Sequence, residues 1–171
     1  MRSKVGKRVR FLLLAVAVLC IGAAQAKATY ADKILVDKSE RRLWVIVDGK
    51  TVATYRIGLG LSPAGHKQRE GDKKTPEGHY VLDYKNATSA FYRSIHISYP
   101  NAEDRARAKR QGVPPGGAIM IHGEANDPRI RAAVAAYPSR DWTDGCISLS
   151  NADMLALWNQ VRVPIPVEIR P

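Results

Sequence analysis

Two residues of this sequence, Cys146 and His122, could together carry out nucleophilic chemistry. Cys146 follows the turn-forming residues Thr143, Asp144 and Gly145, and His122 follows a short apolar run. A thiol attacks carbon well only as the thiolate, and an imidazole within hydrogen-bond reach can take its proton and stabilise the anion. The two residues are 24 positions apart (146 − 122), so only the fold can bring them together. We therefore expect Cys146 to be the nucleophile of an acyl transfer, with His122 as its general base and ion-pair partner.

The glycines beside both residues suit such a site. Gly145 has no Cβ, so it can adopt a positive φ and lets a substrate carbonyl approach the backbone. The N–H groups of Gly145 and Cys146 could then form an oxyanion hole for a tetrahedral intermediate. Gly123 similarly leaves room beside the imidazole of His122. We expect Asp141, Trp142 and Asp144 to shape the loop that carries the nucleophile.

The number of cysteines bears on the role of Cys146. The sequence has two, and Cys20 lies inside the apolar run near the N-terminus. If that segment is removed on export, the one remaining thiol has no partner for an internal disulfide. A lone thiol in an oxidising compartment is either buried and inert, as a small core residue, or retained because it reacts. The polar turn before Cys146 favours the reactive alternative.

Residues 1–26 have the pattern of an export signal. A basic segment precedes the uncharged apolar run 11–24, and Ala24-Gln25-Ala26 fits a cleavage site with small residues. The run is short for a membrane-spanning helix, which needs about 20 apolar residues, although an uncleaved anchor is an alternative. We therefore expect an exported protein, in the periplasm or at the outer face of the cytoplasmic membrane.

The charge of the mature chain excludes some partners. Removal of residues 1–26 takes away five of the 27 Lys and Arg residues, which leaves 22 against 16 Asp and Glu, a net charge of +6. An exported chain without a stripe of basic and aromatic residues is not expected to bind nucleic acid. An anionic polymer of the cell envelope is the more suitable partner, because basic charge raises its rate of encounter.

The remaining patterns predict one β-rich domain, mainly antiparallel, with a few short helices. After a short lead at 27–33, the domain is expected to span 34–171. Asp48-Gly49 is typical of a two-residue hairpin, and 58–78 has the composition of a long functional loop. Helices are expected after Asn101, at Pro128 and after Ser150. Apolar and alternating runs predict strands over 34–36, 42–47, 51–57, 79–84, 91–98, 118–121 and, as an edge strand between prolines, 167–169.

These residues also resemble a known family. His122-Gly123, followed by Thr143-Asp144-Gly145-Cys146-Ile147, is similar to the signature of the L,D-transpeptidase catalytic domain (YkuD-type). The segments 41–49, 58–60 and 75–78 resemble the N-terminal half of that family, so the likeness covers roughly 34–169.

The resemblance implies a β-sandwich-like fold and a thiol that acylates on peptidoglycan stem peptides. Cys146 would attack the carbonyl between meso-diaminopimelate and the terminal D-alanine and release D-alanine. The thioester would then pass to an amine, on a second stem or on an envelope protein. Water as the acceptor would make the protein an L,D-carboxypeptidase or endopeptidase instead. An alternative of another class is a non-catalytic wall-binding module with a structural cysteine.

Two positions depart from the commoner pattern of the family. Asp144 stands where many members have histidine, and Ser148 stands where arginine is usual. That arginine would be a natural partner for a substrate carboxylate, and a side chain from Lys67, Arg69 or Arg93 is a candidate to replace it. We expect Thr143, Asp144, Ser148 and His96 to contact substrate, although a structural role for His96 is the alternative. No cluster with metal-ligand spacing is present, so neither a metal nor another cofactor is expected.

Overall fold

The structure of the protein is a computed structural model that describes residues 30–171. The expected signal peptide, with Cys20, lies outside the described residues, as does the start of the lead. No helix within residues 30–171 has the length and apolar composition needed to cross a membrane. The elements of this part of the chain, in order, are β1 (Lys33–Asp37), β2 (Arg42–Val47), β3 (Lys50–Arg56), β4 (Gly78–Asn86), β5 (Ser94–Ile97), α1 (Ala102–Gln111), β6 (Met120–His122), α2 (Pro128–Ala135), β7 (Ile147–Ser148), α3 (Asn151–Gln160) and β8 (Ile165–Arg170).

The strands form one sheet in the order β3-β2-β1-β8-β4-β5-β6-β7. Five of the neighbouring pairs are antiparallel, and the pairs β1–β8 and β6–β7 are parallel. Beyond β3, Gly58 pairs with Ser148 of β7. This bridge joins the two ends of the sheet, so the sheet curls around its own core. The predicted β-rich, mainly antiparallel fold with a few short helices is confirmed.

The core lies inside the curl and follows from the alternation of the strands. Ile34 and Val36 of β1, and Leu43 and Val45 of β2, are fully buried, whereas their neighbours along each strand are partly exposed. Alternate side chains of a strand point to opposite faces, so these positions share the inner face. Helix α3 adds Met154 and Leu157 to the same core.

The local signals at the helix ends and at the first turn are confirmed. Asn101 and Asp104 form a capping box at the start of α1, and Gly112 ends the helix in the left-handed conformation with φ 67°. The Ser150 side chain accepts the N–H of Asp153 at the start of α3. Such caps satisfy N–H groups that the first turn of a helix leaves without partners. Asp48 also has a positive φ and occupies the expected two-residue hairpin between β2 and β3.

Two details differ from the sequence-based expectations. Strand β5 starts at Ser94 rather than Phe91, because Tyr92 has a φ of 64°, which an extended strand excludes. Strand β8 lies between β1 and β4, so the prediction of an edge strand is wrong. Its Pro166 is tolerated because the pairing with β1 begins only at the next residue. Within the expected lead, the N–H of Ala31 donates to the Gln160 carbonyl at 2.9 Å.

The contribution of helix α3 to the core can be measured by comparing two of its leucines. Leu157 is fully buried and Leu155, on the same helix, is 38% exposed. We expect Leu157→Ala to lower the free energy of unfolding by about 2–5 kcal/mol, because it removes buried methyl groups and leaves a cavity. Leu155→Ala should change it by less than about 1 kcal/mol, since leucine and alanine both favour helix. Urea denaturation of both variants measures the difference; equal losses would contradict the assignment of the buried face.

Candidate active site

The pairing of β6 with β7 brings the two predicted reactive residues together. The strands are parallel, with Ile121 opposite Ile147 and His122 opposite Ser148. Because both isoleucines are fully buried, alternation turns His122 and Cys146 toward the other face of the sheet. There both residues line a cavity of about 400 Å³, here called the Cys146 cavity.

The imidazole of His122 is held in a defined orientation. It is 4% exposed and packs between Phe91, with ring centroids 4.7 Å apart, and Trp142, at 5.7 Å. Its Nδ1 lies 2.7 Å from the Gly123 carbonyl oxygen, which can only accept a hydrogen bond. Nδ1 therefore carries the proton and Nε2 has the free lone pair. Burial lowers the pKa of His122, which favours this neutral form.

The thiol of Cys146 is half-buried and contacts the backbone of β6. Its Sγ accepts the N–H of Met120 at 3.4 Å and can donate to the Ala118 carbonyl at 3.7 Å. Within residues 30–171, the imidazole of His122 is not among the hydrogen-bond partners of the sulfur. Burial raises the pKa of Cys146; the Met120 N–H opposes this rise, and the Asp144 carboxylate adds to it. Both pKa directions favour a neutral thiol beside a neutral imidazole rather than the expected ion pair.

Gly145 is required by the close packing of the loop before the nucleophile. It has a φ of 126°, and a Cβ there would lie 2.5 Å from the carbonyl oxygen of Lys74. Its N–H donates to Thr143 Oγ1 at 3.1 Å, and Thr143 Oγ1 in turn donates to the Cys146 carbonyl at 2.7 Å. The Gly145 N–H is thus engaged within the loop, and its oxyanion role stays a prediction. The Cys146 N–H has no acceptor among the described residues.

A part-buried salt bridge that the sequence patterns did not suggest anchors this loop. Arg41 donates to one carboxylate oxygen of Asp141 from Nη2 at 2.8 Å and from Nε at 3.2 Å. The other oxygen accepts the N–H of Leu59 at 2.9 Å. Asp141 is part-buried, so these charge-assisted bonds fix the start of the segment that carries Trp142 and Cys146. Because Arg41 lies 100 positions away, no local signal could have indicated the pair.

The other predicted contact residues have different environments. Thr143 is 4% exposed and supports the loop through its hydroxyl, and it also lines the Cys146 cavity. Asp144 lines the Cys146 cavity and forms an ion pair with Lys73, with its side chain 77% exposed. His96 does not line the cavity: its Nδ1 lies 2.7 Å from Asp83, and its ring stacks on Tyr84. These two contacts account for His96 without a substrate.

The structure places Gly123 beside α3 and Ser148 beside a second cavity. A Cβ at Gly123 would lie 2.6 Å from Asn151 Oδ1, so the glycine makes room for α3 and presents its carbonyl to His122. Ser148 is buried and lines a second cavity instead of the Cys146 cavity.

Ser94, which was not predicted as a site residue, pairs with His122 across β5 and β6 and lines the Cys146 cavity. Strand alternation was the signal that could have found it. Among the described residues, no group of three possible metal ligands is present.

Comparison with known proteins identifies the family of this chain. The model of the L,D-transpeptidase catalytic domain (YkuD) matches residues 31–169. The chain belongs to this family. The chain is 37% identical over 81 residues to the Escherichia coli K12 protein named "Putative L,D-transpeptidase YafK". This match covers 46% of the L,D-transpeptidase chain described here and 29% of the Escherichia coli protein.

Solved structures share the fold. The helical cell shape determining protein Pgp2 from Campylobacter jejuni superposes with a TM-score of 0.59 at 29% identity, over 80% of this chain and 46% of that one. Bdellovibrio bacteriovorus Bd1075 gives a TM-score of 0.56 at 23% identity, over 85% of this chain and 49% of that one. The L,D-transpeptidase domain described here thus spans less than a third of its curated relative and about half of these structures.

The packing around Gly145 can be tested against Gly78, a glycine with a similar φ. Gly78 has a φ of 119°, and the nearest atom to a Cβ built there is Cε2 of Tyr80, at an ordinary contact distance of 3.9 Å. Alanine at either position meets the strain of a positive φ, about 1–2 kcal/mol. We expect Gly145→Ala to lower the free energy of unfolding by a further 1–3 kcal/mol or so, because the Lys74 carbonyl must move. Denaturant unfolding measures both variants, and equal losses would contradict the close contact.

The protonation state of the pair predicts the pH dependence of thiol reactivity. Because the pKa of Cys146 is raised, the thiolate should form only above the ordinary thiol value of 9.0. Alkylation of Cys146 by iodoacetamide, followed by peptide mass spectrometry, should therefore increase with pH beyond that value. His122→Ala should leave the midpoint unchanged. A plateau of fast alkylation between about pH 5 and pH 8 that His122→Ala removes would instead indicate a resting ion pair.

Proposed function

We propose that this protein is an exported cysteine acyl-transferase that acts on peptidoglycan stem peptides as an L,D-transpeptidase. The observation that carries the proposal is the shared cavity of Cys146 and His122, with Nε2 of the imidazole left as the free base. Membership of the L,D-transpeptidase family supports the substrate class. Export rests on the basic, apolar and small-residue pattern of residues 1–26.

In the first half-reaction, His122 acts as a general base. Its Nε2 takes the thiol proton as Sγ attacks the carbonyl carbon between meso-diaminopimelate and D-alanine. The new C–S bond gives a tetrahedral oxyanion, for which the Cys146 N–H is the available donor. Collapse breaks the C–N bond, the imidazolium returns its proton to the leaving amine, and D-alanine departs. Because Cys146 and His122 are both neutral at rest, the proton transfer takes place together with the attack of the sulfur.

In the second half-reaction, an acceptor amine attacks the thioester. Nε2 takes a proton from the amine, the C–N bond forms and the C–S bond breaks, and the sulfur recovers the proton. The acceptor is a second stem peptide or an amine of an envelope protein. Water would give the shortened stem instead, by the same transfer of protons.

Release of D-alanine tests the first half-reaction. A disaccharide-tetrapeptide is incubated with the protein, and free D-alanine is quantified. Cys146→Ala should abolish release, and His122→Ala should lower its rate by about 10²- to 10⁴-fold, because it removes the general base. His79→Ala, an exposed histidine of β4, is the matched control and should retain the rate. Intact mass after carbapenem treatment should show an adduct that Cys146→Ala lacks.

The acceptor is identified in the same assay. With an added stem peptide that offers a free amine, the proposal expects a cross-linked product by mass spectrometry. If only shortened stems form, both with and without the amine, the protein is a carboxypeptidase or endopeptidase. Release that Cys146→Ala leaves unchanged, or no release and no adduct, would contradict cysteine catalysis and favour a wall-binding module.

A further inference from the structure

A second cavity lies beside the Cys146 cavity and shares one wall with it. Its volume is about 550 Å³, and it lies beneath helix α2; it is called the α2 cavity here. Trp142 lines both cavities. The two cavities are therefore neighbours on the same face of the sheet, on either side of the residue that packs against His122.

The spacing along β7 relates the α2 cavity to the reacting sulfur. Ser148 borders it and lies two residues after Cys146 on the same face. Two residues of a strand span about 6.6 Å. One extended peptide residue spans about 3.5 Å, and a charged hydrogen bond adds about 3 Å. A group that follows the attacked carbonyl by one residue would thus reach the α2 cavity.

The charges of the α2 cavity suit an anion. Arg131 and Arg140 line it, together with a single acidic residue, Glu124. Arg131 faces the cavity with Val134 and Ala135, three and four positions further along α2, as neighbours on one helix face do. Its Nη1 donates to the Ala125 carbonyl at 3.1 Å. Within residues 30–171, no carboxylate forms a salt bridge with Arg131, whereas Arg129 on the same helix pairs with Asp127.

The three replacements considered from the sequence do not face this region. Lys67 is 3% exposed and pairs with Asp72. Arg93 lies over the ring of Trp158, 5.0 Å from its centroid. Arg69 lines neither cavity. The small Ser148 side chain, in the place where the family usually has arginine, and Arg131 both line the α2 cavity.

We propose that Arg131 binds the C-terminal carboxylate of the donor peptide in the α2 cavity while Cys146 attacks the preceding carbonyl. This inference rests on the proposed function and names a specificity-determining residue for it. A guanidinium binds a carboxylate through two parallel N–H groups, which fixes the orientation of the peptide as well as its position. Arg140 lines the same cavity.

The test compares two donors and two arginine variants of the full chain. The donors are a disaccharide-tetrapeptide with a free C-terminal carboxylate and the same compound with a C-terminal carboxamide. The variants are Arg131→Met and its matched control Arg129→Met, which removes the same charge from the same helix outside the cavity. Release of D-alanine or D-alaninamide is measured without an added acceptor, so that the only peptide carboxylate next to the scissile bond belongs to the donor.

Loss of the contact should appear only with the carboxylate donor. Arg131→Met should lower kcat/KM for that donor by about 10- to 100-fold, the range for a charged hydrogen bond, and should change it little for the carboxamide. Arg129→Met should stay within about twofold for both donors. Arg131→Lys should recover part of the loss, because it keeps the charge but not the bidentate fork.

The outcomes separate this inference from the proposed function. An active wild-type protein with equal losses in Arg131→Met and Arg129→Met, or with equal losses for both donors, would overturn the inference alone. An effect that appears only when an acceptor peptide is added would assign Arg131 to the acceptor and also overturn it. A wild-type protein that releases neither product would overturn the proposed function, and this inference with it.

Discussion

The register between β6 and β7 is the constraint on which the site depends. Ile121 opposite Ile147 fills the core, and the same pairing turns His122 and Cys146 outward to one cavity. Alternate residues of a strand face opposite sides, so a slip of one residue in β7 would bury the sulfur and expose the isoleucine. The apolar residues beside the reactive ones therefore specify the active-site geometry. The chemistry and the core are encoded in the same short strands.

The nucleophile loop is rigid because distant parts of the chain hold it. Asp141 bonds to Arg41 and to the backbone of Leu59, and Gly145 lies against the Lys74 carbonyl. These contacts come from three separate regions, so the loop around Cys146 is placed by the whole sheet rather than by its own turn residues. A nucleophile positioned in advance reduces the entropy that must be lost when substrate binds.

Sequence patterns predicted the features that depend on near neighbours. The cap at Asn101, the hairpin at Asp48 and the strand before His122 all have local physical causes, and the structure contains them. The patterns missed what depends on long-range packing. The Arg41 anchor, the engagement of the Gly145 N–H and the interior position of β8 follow from contacts between segments far apart in the chain. The α2 cavity could likewise not be predicted from the sequence, because only folding brings Arg131 and Ser148 to the same cavity.

The position of β8 also bears on how the sheet can form during synthesis. Strand β8 joins β1 to β4, so it links the half of the sheet made from β1–β3 to the half made from β4–β7. It is the last strand of the described chain to leave the ribosome. Non-local pairings of this kind form slowly, since a large loop must close first. The nascent polypeptide therefore keeps an incomplete sheet until β8 has been synthesised.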